Sequence, residues 1–287
     1  LVLKGGKLSY TGASVSTDRS IVIENNPEIS IETNGTVLTQ NGIITGTGSL
    51  TKSGAGTLLS KNINTYDGTT TITNGTIEYN GVDNINASLG AGKSFVLNGG
   101  RLKTSGGSTT NYESYYADIQ VLDGNVSAFE AFRNCYIYSK FSGSGKLYFD
   151  INYVREYVQG DWTQFSGIVY ARGLGTATDG SQFMLNNTLG IPNGRVITSG
   201  NTKIVCWKNA GTMYLGGLSG AAGTYLAGAD KQNNAATMTW IVGGTGTDET
   251  FAGIINNECS NGSYKGTTSI IKDGNGYWRL TGANIYS

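Results

Sequence analysis

A small polar residue, then glycine, then an aliphatic residue recurs along the chain at a nearly constant interval. No other feature narrows the possible folds so far. The phrase reads Asn-Gly-Thr-Val from Asn34, Ser-Gly-Ala-Gly-Thr-Leu from Ser53, Asn-Gly-Thr-Ile from Asn74 and Asn-Gly-Gly-Arg-Leu from Asn98. It continues from Asp123, Ser144, Ser166 and Asn193, with successive starts 19, 21, 24, 25, 21, 22 and 27 residues apart. A β-sandwich gives turn signals every ~8–12 residues and needs no longer register. An interval of about 22 residues that drifts by a few suits one coil of a parallel β-helix, where like positions stack from coil to coil.

Between the turn phrases lie short stretches of alternating character: Ser20–Glu24, Glu28–Thr33, Thr69–Gly81 and Lys93–Leu102. Alternation over a few residues between Gly and Asn is the signature of half-buried strands. No long amphipathic helix is present; Val126–Cys135 fits one short helical turn or a strand equally well. The 44 Gly residues would suit disorder, but 17 Tyr, 8 Phe, 4 Trp and 38% hydrophobic residues do not. A solenoid resolves this, because each coil needs only a few inward aliphatics and its neighbours bury them as a column. Gly and Asn then serve the corners, where positive φ is needed. At ~4.8 Å per coil, about 13 coils would form a rod on the order of 60 Å long.

Net charge is zero, with 20 basic and 20 acidic side chains, and no run of Lys or Arg offers a footprint for nucleic acid. No apolar stretch approaches the ~18 residues of a membrane-spanning helix, so membrane insertion is not expected. The chain starts at Leu1 without a Met and reads as a processed or trimmed piece. Histidine is absent, which excludes the common Ser-His-Asp and Cys-His nucleophiles and the usual imidazole metal ligands. Any catalysis would rest on carboxylates, Tyr, Lys or Arg; no catalytic set, cofactor or metal is expected. Cys135, Cys206 and Cys259 are far apart and odd in number; buried small hydrophobes are the first reading, one disulfide plus a thiol the second.

The stretch Ile44–Ile77 and the closing stretch Thr268–Ser287 align without gaps at an offset of 220 residues. Lys52, Gly54, Gly56, Asn64 and Tyr66 meet Lys272, Gly274, Gly276, Asn284 and Tyr286. The pattern resembles the autotransporter-associated β-strand repeat (passenger-associated transport repeat), roughly Leu-Thr-Lys-x-Gly-x-Gly-x-Leu, then Gly-x-Asn-x-Tyr-x-Gly. Phe251–Ile255 matches a step often found just upstream of that repeat. The first copy departs at Lys61 and Asn62, where the family has Gly; the second keeps Gly282. The resemblance covers about a fifth of the chain. It implies a right-handed parallel β-helix, about 22 residues per coil, in the stalk of a secreted or surface-exposed bacterial protein. It brings no catalytic residues. The second copy stops at Ser287, before the first copy's Gly68, so a longer natural protein is expected. The organisation expected is a single β-helical domain over 1–287, with repeats at 44–77 and 268–287 and aromatic-rich coils at 105–170. Gly54, Gly56, Gly274 and Gly276 are expected at coil corners.

The middle of the chain carries Tyr112, Tyr115, Tyr116, Phe129, Phe132, Tyr136, Tyr138, Tyr148, Phe149, Tyr153, Tyr157, Trp162 and Phe165. An internal aromatic stack is the first reading, since aromatics carry much of the packing in a thin core. The functional alternative is stacking on sugar rings, with Tyr112, Tyr115, Tyr116, Tyr153 and Tyr157 as candidates and Asn111–Asp118 as an exposed loop insertion. Among acids, Glu113, Asp118, Asp150, Glu156 and Asp161 would need two across one glycosidic bond. A lyase would draw on Lys140, Lys146 or Arg155, yet no tight acidic cluster accompanies them. Gly243–Asp248 matches half of a calcium-binding β-roll repeat, but a single copy reads better as a Gly-rich corner. The Gly-x-Gly strings have no strand-to-helix context for a phosphate site. The first reading of function is a non-enzymatic stalk or adhesin-like segment at the bacterial surface or outside the cell, with surface glycans or host-cell ligands as partners. Alternatives are a carbohydrate-binding or polysaccharide-degrading β-helix and a phage-type glycan-binding fibre.

Overall fold

The computed structural model is a β-solenoid, nearly all parallel β, with about 10 stacked coils and 23 residues per turn. It describes residues 1–110, 112–176, 180–206, 210–229, 237–260 and 264–286. The first coils carry three strands each. Val2–Lys4, Lys7–Tyr10 and Val15–Thr17 are followed by Ile21–Glu24, Glu28–Ile31 and Val37–Gln40. Each strand pairs in parallel with its counterpart one coil on, as Leu38 does with Leu58 and Leu58 with Ile77. Three sides result. The second side is an eight-stranded sheet and the third a 14-stranded one. The first side is broken in two: a three-stranded sheet, then a seven-stranded one that starts at Glu113–Tyr115.

The coil interval read from the turn phrases is the register interval of the third side. Val37 lies beside Thr57, Thr57 beside Thr76, and Thr76 beside Arg101. The stack has about 10 coils, against the 13 expected, and turn length varies along it. Gly211 pairs with Met238 and Thr237 with Thr267.

The break on the first side is filled by a helix, Val82–Ser88. Gly81, at φ 94°, ends the preceding strand and opens the helix, and Asp83 sits in its first turn, where the helix dipole favours an acid. Ile85 and Leu89 turn into the core. The Leu89 carbonyl accepts the N–H groups of Tyr116 and Ala117, at 2.6 and 2.8 Å, and so ties the helix end to the next coil. The sequence reading contained no such helix; seven residues are too few for a 3.6-residue period to show. Val126–Cys135 resolves as a strand, Ser127–Glu130.

Inside, like residues form columns. Leu38, Leu58, Ile77, Leu102, Phe129 and Phe149 follow one another in register, all buried. At Phe129 the column turns from aliphatic to aromatic. Phe141 stacks on Trp162 at 4.0 Å, with Phe149, Phe165 and Phe183 around the indole. Burying each such ring is worth about 1.5–3 kcal/mol over leaving it in water. Cys135 and Cys206 lie in this interior; the side chain of Cys259 falls outside the described residues.

The two repeat copies make the same contacts. Lys52 Nζ donates to the carbonyls of Ser53 and Gly54 at 2.5 and 3.0 Å, and Lys272 Nζ to those of Asp273 and Gly274. Asn64 Oδ1 accepts Ile44 N–H and Asn284 Oδ1 accepts Ile255 N–H, both at 2.9 Å. Each asparagine therefore closes a backbone donor one coil away. Gly54 and Gly274 have φ of 69° and 68°. A Cβ on either would lie 2.3 Å from a carbonyl oxygen of the coil before, that of Ile31 or Gly243. Gly56 and Gly276 serve by close approach alone: a Cβ would meet Ile31 Cγ2 at 2.5 Å and Thr247 O at 2.3 Å respectively.

Candidate functional site

Strand alternation divides the aromatic middle into two sets. On the first side, Glu113, Cys135 and Glu156 form one inward column, and Tyr115, Ile137 and Val158 the next. Ser114, Tyr136 and Tyr157 form the outward column between them. Tyr115 is therefore fully buried, against Phe129 at 6.4 Å, and is not the surface residue that the sequence reading grouped with Tyr112 and Tyr116. Adjacent residues on a strand point to opposite faces, so Tyr115 and Tyr116 cannot both reach solvent there. Asn111 lies outside the described residues, and Glu113–Tyr115 is a paired strand rather than part of a loop.

Outside, the tyrosines form a ladder. Tyr136 lies 5.3 Å from Tyr112 and 4.8 Å from Tyr157. Tyr116 and Tyr138 stack at 4.8 Å with planes 5° apart. Tyr112, Tyr116, Tyr138 and Tyr153 are 43%, 46%, 40% and 38% exposed, while Tyr157 is buried beneath them. Arg155 Nη1 donates to the Tyr157 hydroxyl at 3.2 Å. Burial pushes the Tyr157 phenol up to about 12 despite that guanidinium, so it stays neutral and keeps its proton. Burial also raises the Tyr136 phenol.

Two hollows flank Tyr112. One, of about 490 Å³, lies between the helix and the sheet, among Val82, Asn86, Ser108, Tyr112, Glu113, Ser114 and Tyr116. The other, of about 170 Å³, is lined by Ser108, Thr109, Thr110, Tyr112, Arg133 and Asn134. The helix creates the first hollow, since it replaces a first-side strand just before the tyrosine sheet begins. Arg133 is half-buried, holds its guanidinium 4.3 Å over the Tyr153 ring, and has φ of 55°. Sequence reading missed Arg133, because a lone arginine in a turn gives no signal; Tyr136 and Tyr138 had one in their spacing of two.

The candidate acids are dispersed. Asp118 and Asp161 are exposed, and Asp161 accepts Thr163 N–H at 2.8 Å. Asp150 is buried on the third side between Arg101 and Arg172. Glu156 is inside the coil, where burial pushes its carboxyl well above the usual range and Cys135 Sγ donates to it at 2.5 Å. Glu113 gives its oxygens to Ser108 N–H and Tyr115 OH, at 2.6 and 3.3 Å, and burial raises it too. Lys140 and Lys146 are exposed. Asp248, in the Gly-rich stretch, accepts Tyr277 N–H at 2.8 Å. Among the described residues no group of three or more Cys, Asp or Glu could hold a metal ion, and no helix is long and apolar enough to cross a membrane.

The fold and the matching contacts of the two repeat copies are those of a β-solenoid that fits autotransporter-type repeats. Among curated proteins, the chain is 29% identical over 324 aligned residues to the adhesin BmaC autotransporter of Brucella suis biovar 1 (strain 1330). That match takes in 97% of this chain but spans 9% of the length of the adhesin. No protein-family model matches the chain, and no solved structure does.

Proposed function

We propose that this chain is a non-enzymatic stalk segment of a secreted or surface-exposed bacterial adhesin-type protein. The observation that carries the reading is a continuous parallel stack whose near-whole length is similar to an autotransporter adhesin. In such a stack each coil touches only its neighbours, so length is added without a larger core. That suits a part whose work is to project and present. The placement of the acids favours the non-enzymatic half: Asp150 is bound by two guanidinium groups and Glu156 is sealed from solvent.

The test is display. The chain is fused between a secretion signal and an autotransporter β-barrel, and intact cells are treated with trypsin. The expected result is a surface-exposed fragment that resists digestion as one piece. Retention inside the cell, or rapid digestion to small peptides, would overturn the stalk reading. New reducing ends after incubation with a panel of polysaccharides would overturn the non-enzymatic half. An obligate trimer on sedimentation would favour a fibre instead.

A further inference from the structure

The outer faces of the solenoid treat charge in two ways. On the third side Glu78, Lys103, Glu130, Asp150 and Arg172 follow one another in register and neutralise each other. Arg101 bridges Glu130 and Asp150 at 2.6 and 2.7 Å, and Lys103 reaches Glu78 at 3.4 Å. On the first side Arg155, Gln182, Lys203 and Tyr225 are in register, with no acid in that column. Arg133, at the edge of the tyrosine ladder, makes no ion pair among the described residues. Glu113 lines the larger hollow, but it is buried and its oxygens already accept from Ser108 N–H and Tyr115 OH.

We propose that the groove around Tyr112 binds an anionic glycan, a chain of carboxylated pyranose rings. Sugar rings stack on the exposed tyrosine faces, and Arg133 takes the carboxylate. The exposed rings of Tyr112, Tyr116 and Tyr138 offer flat apolar faces that suit the C–H face of a pyranose. Their setting is polar: Asn86, Ser108, Thr110 and Asn134 line the same hollows and meet hydroxyl groups. An apolar peptide would find little to bury there, since Val82 is the one aliphatic side chain in those linings. The larger hollow, about 490 Å³, is in the range of small-ligand sites. The guanidinium is a planar fork that matches a carboxylate and stacks on an aromatic face at the same time, and Arg133 already lies on Tyr153. Its positive φ is a backbone state that glycine or asparagine would adopt at less cost. An arginine is held there at some strain, where function is a common reason.

The test uses the purified chain and needs no surface display, so its failure leaves the stalk reading standing. Calorimetry or surface plasmon resonance measures binding to polygalacturonate and polysialic acid, with carboxyl-reduced polygalacturonate and poly-glutamate beside them. Saturable binding to an acidic glycan is expected, weakened about tenfold by Arg133→Gly and by Tyr112→Ala. Arg133→Gly accepts the positive φ, so its circular dichroism and melting should match those of the parent. No binding to either acidic glycan by a natively folded chain would overturn the proposal. Equal binding of the carboxyl-reduced polymer would overturn the role of Arg133, and equal binding of poly-glutamate would replace the glycan by any acidic polymer. Variants that bind like the parent would move the site elsewhere.

Discussion

Glu156 shows how a single residue can set a pH dependence from inside a thin core. It is fully buried, Cys135 donates to one of its oxygens, and the other oxygen has no hydrogen-bond partner among the described residues. Burial raises its pKa well above the ordinary carboxylate value, so between the unfolded and folded pKa values the folded chain holds a proton that the unfolded chain has released. The stability tied to that proton is complete below the unfolded pKa of about 4.5 and is lost as pH rises through the folded value. Glu156→Gln removes the linkage. Its melting temperature should gain on the parent as pH goes from about 5 to about 8, with a slope of at most about 1.4 kcal/mol per pH unit, and the two should converge in acid. Thermal melts across that range check it; a difference independent of pH would count against a protonated Glu156. Gly54 and Gly274 make a second residue-scale prediction. Gly54→Ala or Gly274→Ala combines a left-handed φ with a carbonyl 2.3 Å away, and should cost about 2 kcal/mol or more. Gly35→Ala, with a similar φ of 80° but open space around it, should cost about 1 kcal/mol. Denaturant midpoints of the three variants separate strain from collision. The corner role of these glycines was legible from their position in the repeat; the reason that Gly56 and Gly276 are glycines, close approach without positive φ, was not.

At the scale of elements, the outer ladder of the third side couples coils that the backbone already joins. Asp150 is buried and takes Arg172 through two bonds, at 2.6 and 2.8 Å, and Arg101 at 2.7 Å. The cations are partly solvated, so the cluster gains less than a sealed ion pair would. Asp150→Asn keeps the shape and removes the charge, leaving two guanidinium groups facing each other. A loss of about 2–3 kcal/mol follows, larger than for Glu130→Gln, whose carboxylate is more exposed. Urea unfolding of both variants decides this, and equal losses would mean that burial of Asp150 adds nothing. Strands were easy to find, because alternation between Gly and Asn survives in every coil. The Val82–Ser88 helix was not, and it matters most to the candidate site, since it interrupts the first side and leaves the hollow beside Tyr112.

For the molecule as a whole, the spacing of the turn phrases was enough to yield an all-β solenoid with the right period. Each coil must return to the same corner, and a corner needs residues that tolerate its backbone. The absence of histidine and the balanced charge were likewise plain in the sequence and bounded the chemistry. The number of coils and the outward set of tyrosines were decided only in three dimensions. Coil length varies with insertions, as at Thr237 and Thr267, so the interval alone does not fix the number of turns. Facing depends on strand register, and a shift of one residue sends every side chain to the other face. That is why Tyr115 and Tyr116, neighbours in the chain, part company, one into the core beside Phe129 and the other onto Tyr138 at the surface. Composition and repeat determined what the chain builds; the register between coils decided which of its aromatic rings meet the outside.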